Sequence, residues 1–452
     1  MNNVKPTSET TGIKAAAVGT GVFAATQTAR AQGKGLRDTS KGKPTDAELK
    51  KPAKPTGPPP IRIGLVGCGG RGMGAAVDCA TSSENVEIYA LADLWPEKLK
   101  PARENLGKAL KEKFNVTEDR SFSGFDAHKK VIELCDYILF ATPPGFRPSH
   151  LRACIEGGKH AFIEKPCAVD PAGVRSVIES AAMATQKNLG ILAGTQYRHD
   201  PHYVELMKRL HEGIIGDILA AQCYYCGGGV WAPQKRKPEW TDMEYQIRNW
   251  YYYTWLSGDF NAEQHVHNLD VMNWVFGGHP VKCLSIGGRA VRKGEEFGNI
   301  FDHFSTLYEY PNGLKMMSYC RHWDGAAGKL EDRFVGTKGV AFAHGLWSPF
   351  PEIKDMTGKV LWKWEGEAPS PYVEEHKHMI ASIRAGKPLN EGVQVAESSL
   401  VAVMARMSAY TGQEVTWDFA LNKSQIDLFP KNLAFGPNPV DPVAVPGKTK
   451  LI

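Results

Sequence analysis

From residue 61 onward, short apolar runs rich in β-branched residues alternate with longer stretches whose apolar positions recur at helical spacing. Ile61-Arg62-Ile63-Gly64-Leu65-Val66, Val86 to Ala92 and Tyr137 to Ala141 read as strands. Helices are expected over Met73 to Ala80, from Pro96, and between the third strand and Gly158. Strand and helix in alternation predict an α/β domain, a doubly wound parallel sheet of the Rossmann type, over residues 61–196. From about Gly216 the strands lengthen: Ile218 to Tyr225, Lys282 to Gly288, Phe304 to Tyr310 and Leu314 to Cys320. No crossover helix fits between the last two, and Pro311-Asn312-Gly313 signals a hairpin. A second, α+β domain with a mainly antiparallel open sheet is therefore expected over 197–418, with late helices in 372–412. After Phe429 the periodicity ends, and 419–452 should run as an extended arm.

The first 60 residues differ in character. A polar start with Lys5 and Lys14, an apolar run from Ile13 to Thr26 and an A-x-A site at Ala29-Arg30-Ala31 mark 1–32 as an export leader. The leader resembles the twin-arginine type but lacks the paired arginines, and it implies a periplasmic location. Residues 33–60, rich in Lys, Pro and Gly, read as a tether. This region carries ten Lys/Arg against four Asp/Glu, which leaves 44 against 45 in the rest of the 452 residues. The net charge of +5 thus belongs to the tail, and the near-neutral remainder offers no electrostatic case for a nucleic-acid partner. No apolar run reaches the ~20 residues of a membrane-crossing helix. Nine cysteines in so long a chain are not a disulfide framework. The single C-x-x-C, Cys223 and Cys226, has no second pair at zinc spacing; it reads as buried strand cysteines rather than a metal or redox site.

The first strand runs into Gly67-Cys68-Gly69-Gly70-Arg71-Gly72 and then a helix, which is G-x-G-x-x-G in strand–turn–helix context. Gly67 permits the tight turn, Gly69 admits a pyrophosphate to the backbone, and Gly72 lets helix and strand approach. The helix N-terminus adds unpaired N–H groups for the phosphates. About twenty residues on, Asp93 ends the second strand, placed to accept from both adenosine ribose hydroxyls and to repel a 2′-phosphate. NAD is expected in preference to NADP. Thr142-Pro143-Pro144 follows the strand Tyr137 to Ala141 and should lie beside the cofactor.

Next comes Gly158-Lys159-His160-Ala161-Phe162-Ile163-Glu164-Lys165-Pro166. With the glycine motif and the A-T-P strand end, this G-K-H-x-x-x-E-K-P resembles the Gfo/Idh/MocA family of glucose-fructose oxidoreductases and inositol dehydrogenases. Tyr197-Arg198-His199-Asp200-Pro201, the segment Gly213 to Ile218 and the late helices agree with it, so the resemblance covers roughly residues 61 to 418. It implies that Glu164 and Lys165 border the cofactor, along with Arg71 of the glycine loop, and that Lys165 meets the substrate oxygen. An ammonium there can stabilise the alkoxide that forms as hydride leaves. Gly258 to Asp270 resembles the family's G-G-x-x-x-D-x-x-x-H-x-x-D, with Glu263 at the usual Asp, then His267 and Asp270. Four residues apart, Glu263 and His267 share a helix face. His267 is the expected general base. Glu263 is expected to orient the imidazole or touch a sugar hydroxyl, and His265 to be structural. Where the family shows Asn-x-x-His, this chain has Pro144-Gly145-Phe146-Arg147, and Arg147 is expected to bind rather than shuttle protons.

Arg248, Asn249, Trp250, Tyr251, Tyr252, Tyr253 and Trp255 suit a pyranose ring, but equally a core layer or subunit interface. Candidate substrate contacts are Arg198, Asn249, Trp250, Arg147 and Asp270, with Arg321 and His322 as further candidates; no metal is expected. Together these features predict a nicotinamide-dependent oxidoreductase of a carbohydrate or cyclitol, with its cofactor tightly bound if exported. The resemblance also implies a homodimer or homotetramer through the second sheet. Two alternatives are a redox-neutral glycosidase, lyase or epimerase working through transient oxidation, and a non-catalytic sugar or nucleotide sensor. The glycosidase relatives lack the lysine of E-K-P, so Lys165 favours the dehydrogenase.

Overall fold

The alternating pattern of the first half becomes β1 (Ile61–Val66), β2 (Val86–Asp93), β3 (Ser121–Ser123), β4 (Tyr137–Phe140), β5 (His160–Ile163) and β6 (Ile191–Ala193) in a computed structural model that describes residues 59–345 and 350–452. The leader and nearly all of the tether lie outside the described residues. The six strands are parallel in the order β3-β2-β1-β4-β5-β6. They are wound by α1 (Gly70–Ser82), α2 (Pro96–Leu110), α3 (Ala127–Leu134), α4 (Arg147–Glu156) and α5 (Pro171–Gln186). Because side chains alternate across a strand, Ile63, Leu65, Leu139 and Phe162 fill one core, and Val66, Ile138, Phe140 and Ile163 fill the other. Burial on both faces explains the near-continuous apolar runs.

The second sheet follows α6 (Pro201–His211). It contains β7 (Ile218–Gly227), β8 (Lys282–Gly288), β9 (His303–Glu309), β10 (Lys315–His322), β11 (Lys329–Gly336), β12 (Gly339–Ala343), β13 (Glu352–Asp355), β14 (Val360–Lys363) and β15 (Val415–Thr416). Their order is β14-β13-β12-β11-β7-β10-β9-β8-β15, and only β7 and β10 run parallel. The hairpin between β9 and β10 turns on Asn312 and Gly313, both at positive φ. Between β7 and β8 lie α7 (Asp242–Arg248), α8 (Thr254–Ser257), α9 (Phe260–Glu263) and α10 (Val266–Phe276); α11 (Pro371–Arg384) and α12 (Gly392–Thr411) come late. Thr306, Tyr308, Met316 and Phe334 are buried in this domain, whereas Leu284, Ile286 and Leu307 project from β8 and β9 into solvent. Among the described residues no helix is long and apolar enough to cross a membrane.

Two features differ from the sequence reading, while the C-x-x-C agrees with it. In β11 and β13 interspersed Lys, Glu, Asp and Arg residues mask the alternation, while β12 and β14 are too short, at five and four residues, to show one. The late helices divide between the lobes: α11 places Met379 and Ile380 in the Rossmann core with Ile63 and Leu65. Cys223 and Cys226, three apart on one strand, project to opposite faces; all nine cysteines are free.

Candidate active site

The glycine loop explains itself atom by atom. Gly67 has φ +100°, and a Cβ there would meet the Ala141 backbone at 2.8 Å. A Cβ on Gly72 would drive into the Gly67 carbonyl oxygen. Around Gly69 a Cβ would meet nothing within 4 Å, so the backbone faces open space at the mouth of a cavity of about 320 Å³. No side chain caps α1, which leaves its first N–H groups free for an anion. Gly67, Gly69, Asp93, Thr142 and Pro143 all line the cavity. Asp93 is fixed by accepting from Cys68 N (2.7 Å) and Trp95 N (2.9 Å); burial nevertheless pushes its carboxyl above the ordinary value. Thr142 Oγ1 meets His150 Nδ1 at 3.2 Å. Uncapped amides, the open approach at Gly69 and the carboxylate that ends β2 in the same cavity fit a dinucleotide. The two glycines separate fit from fold. Gly72→Ala is expected to lower stability by about 1–3 kcal/mol through overpacking, read by thermal denaturation. Gly69→Ala should leave the melting temperature unchanged and weaken NADH binding.

Arg71 does not point into this cavity. Its guanidinium pairs with Glu164, Asp78 (3.2 Å) and Glu375 (3.4 Å), and lies 4.7 Å from the Tyr372 ring centroid. Burial alone would raise the Glu164 carboxyl, but Arg71, Lys165 and Arg147 hold it below the ordinary range. Arg71 and Glu164, expected to border the cofactor, are paired with each other behind the β5 turn, Arg71 half-buried and Glu164 buried, and Glu164 Oε2 accepts from Lys165 N at 3.1 Å.

Lys165 leaves β5 before Pro166 through a cis peptide. Its Nζ reaches across to the second lobe, donating to the Glu263 carbonyl (2.5 Å) and to Glu263 Oε1 (3.3 Å). That carbonyl is available because the expected continuous helix breaks. Helix α9 stops at Glu263, α10 starts at Val266, and His267 N turns to Gln264 O at 3.5 Å instead of the Glu263 carbonyl. Glu263 thus serves Lys165 and not the imidazole, its Oε2 accepting from Gln264 Nε2 at 2.5 Å. Upstream, Asp259 stands at the family's second glycine with φ 80° and ψ 164°, a region that favours glycine. It is held there because its buried carboxylate accepts from Phe260 N, Phe301 N and Tyr410 Oη at 2.5–2.8 Å, and burial pushes it up to about 7.

His267 is buried in the same cluster, its ring 5.4 Å from Tyr197 and its Nδ1 without a partner. Burial, then the positive charges of Lys165 and Arg71, hold the imidazole well below its ordinary value, so it is neutral and able to accept a proton. The structure therefore joins Lys165 to Glu263, four residues before His267, whose imidazole lies within the field of the Lys165 charge. Tyr225, whose hydroxyl donates to Gln264 Oε1 at 2.8 Å, and Tyr372 complete the surroundings. Neither was legible as a site residue, since a lone tyrosine on a strand or helix carries no motif.

Four proposed substrate contacts are instead occupied by the protein. Arg198 forms a two-pronged pair with Asp270 (2.9 and 3.0 Å), and Asp270 also accepts from Gln394 and from Ser398 Oγ. One turn beyond His267, this pair locks α10 to the Tyr197 segment. Arg147 is buried and braces the turns after β4 and β5, donating to Thr142 O (2.9 Å) and Pro166 O (2.6 Å); burial lowers its pKa to about 10. Asn249 is enclosed between Tyr245 O and Gln234 N. Trp250 lines the cofactor cavity, while Tyr251, Tyr252 and Tyr253 form a core layer. His265 is buried against Ser318 Oγ (2.7 Å), and His322 against Phe301 O (3.1 Å); Arg321 donates to Ala327 O.

Residues 61–190 match the family model described as "Oxidoreductase family, NAD-binding Rossmann fold", and residues 203–342 match the "GFO/IDH/MocA C-terminal domain". The chain belongs to the GFO/IDH/MocA oxidoreductase family. Among similar proteins, an "Uncharacterized oxidoreductase" of Streptococcus pneumoniae is 23% identical over 256 residues, 56% of this chain and 60% of its own length. The myo-inositol 2-dehydrogenase of Thermotoga maritima is 22% identical over 346 residues, 73% of this chain and 90% of that one. A glycosyl hydrolase family 109 protein of Porphyromonas gingivalis is 32% identical over 169 residues, 36% of this chain and 34% of that one. The aldose-aldose oxidoreductase of Caulobacter crescentus shares the fold with a TM-score of 0.63 at 18% identity, over 79% of this chain and 99% of that one.

Proposed function

We propose that this oxidoreductase moves hydride between a hydroxyl-bearing ring carbon of a sugar, glycoside or cyclitol and a tightly held NAD. When bound, the nicotinamide supplies the hydride acceptor. The observation that carries the reading is the reach of Lys165 to Glu263 across the two lobes, beside a buried His267 that the Lys165 charge helps keep neutral. Lys165 Nζ exchanges its Glu263 carbonyl contact for the substrate oxygen, and His267 takes the hydroxyl proton. Lys165 and Glu263 are both nearly enclosed, so the developing alkoxide is stabilised away from water. Asp93, oriented by two backbone N–H groups, favours NAD over NADP. The inositol 2-dehydrogenase relative supports the substrate class. The apolar run and A-x-A site before residue 32 support export. The exposed Leu284, Ile286 and Leu307 support a homodimer or homotetramer through this sheet.

The glycosyl hydrolase relative favours a second reading, in which oxidation is transient and a glycoside is cleaved with no net redox change. One experiment separates them. Purified protein is incubated with glycosides and polyols while reduced-nicotinamide absorbance and products are followed. Absorbance that rises with an oxidised product is the expected result; cleaved glycoside at constant absorbance refutes it in favour of the second reading.

A further inference from the structure

The cofactor cavity is walled on one side by the Rossmann turns and on the other by residues from distant parts of the chain. Trp95, two residues beyond Asp93, lines it together with Phe125, Arg248 and Trp250. The Arg248 guanidinium lies 3.8 Å from the Trp95 ring centroid and donates to Glu97 Oε1 (3.1 Å) and Glu244 Oε1 (3.0 Å), tying α7 to the start of α2. From the other direction the C-terminal arm places Phe435 in a stack on Trp95, with centroids 5.5 Å apart and planes at 22°, and 5.1 Å from Phe125.

These two covers are joined. Gly436 O accepts from Met243 N at 3.1 Å, Gln246 Nε2 donates to Asn438 O at 2.5 Å, and Asn438 Nδ2 donates to Gln246 Oε1 at 2.9 Å. The arm is also pinned at its root, where Leu428 N donates to Asp170 Oδ2 at 2.7 Å. It closes on itself where Ser424 Oγ donates to the carbonyl oxygen of Ile452 at 2.7 Å. An arm held at both ends has lost most of its conformational freedom, so its contact with Trp95 costs little further entropy.

We propose that Arg248 and Phe435 form a latch on Trp95 that encloses the adenosine end of the cofactor, so that the dinucleotide is retained through turnover. The latch rests on the reading of this cavity as a dinucleotide site. It accounts for the aromatic wall that Trp95 and Phe125 form beside Asp93 and for the seating of the arm's Phe435 against both rings from outside. Retention gives an enzyme without access to a free nucleotide pool the means to keep its cofactor.

The test is the rate of NADH release from the full-length protein. Protein loaded with NADH is diluted into excess NAD, and the loss of bound-nicotinamide fluorescence is followed for wild type, Phe435→Ala and Arg248→Ala. Phe435 is half exposed, so its truncation leaves the fold intact and serves if the Arg248 variant does not fold. Wild type is expected to keep NADH through gel filtration, and each variant to release it at least about tenfold faster. NADH that is taken up and released equally fast by wild type and variants overturns the latch alone. Wild type that takes up no NADH at any concentration overturns the dinucleotide reading and the latch with it.

Discussion

Lys165→Met is expected to lower kcat by about 10²–10³-fold, the usual consequence of removing one donor aimed at a developing oxyanion. Methionine nearly conserves length, so the change removes charge rather than volume. The effect falls mainly on kcat because the interaction strengthens as negative charge builds on the substrate oxygen. A second consequence distinguishes this site from a surface lysine. Glu263 loses the ammonium that faces both its carbonyl and its carboxylate, and it is nearly buried. A buried carboxylate without a counter-charge, left with only the Gln264 amide, is costly, so stability should fall as well. The double variant Lys165→Met/Glu263→Gln removes both charges and should recover much of that stability while kcat stays low. Steady-state kinetics with thermal denaturation of both variants checks this; wild-type kcat in Lys165→Met refutes the assignment.

That double variant also marks the boundary of what the sequence discloses. Lys165 and His267 are legible because motif and spacing identify them, and the glycine loop because each glycine answers a local steric demand. The Lys165–Glu263 contact was not, because it depends on a helix break at Gln264 and His265, residues of ordinary helical character. Arg147, Asn249 and Asp270 were read as substrate contacts for a related reason. A polar residue near a motif looks free in one dimension, and only the fold supplies the carbonyls and donors that occupy it. Strands β1 and β8 emerge with the predicted bounds, since apolar patterning specifies them directly. Charged residues hide β11 and β13, shortness hides β12 and β14, and contacts across some 340 residues, such as Trp95 with Phe435, leave no local trace.

His267→Ala is expected to cost about 10²–10⁴-fold in kcat, the range for losing a positioned general base, and the wild-type pH profile should report the same imidazole. An ordinary histidine titrates near 6.5, where half the base would be protonated. Burial and the charges of Lys165 and Arg71 hold His267 well below that value. The base is lost only as pH falls through the lowered pKa, so kcat/KM should remain level from about pH 8 down to pH 6 and decline in more acid solution. The sign for stability follows from the same shift. Below about pH 6.5 the unfolded chain takes up a proton that the folded imidazole refuses, so stability present above that pH is lost as acid is added. His150 and His376, also buried and shifted downward, act in the same direction. Rate and stability can be separated, because His267→Ala removes one contributor to the acid loss while leaving the others, His265 and His322 among them. The variant should therefore be slow at every pH yet lose less stability between pH 7 and pH 5 than the wild type. A wild-type kcat/KM that halves near pH 6.5 would show instead that the imidazole is solvated in the free enzyme, rather than a buried neutral base.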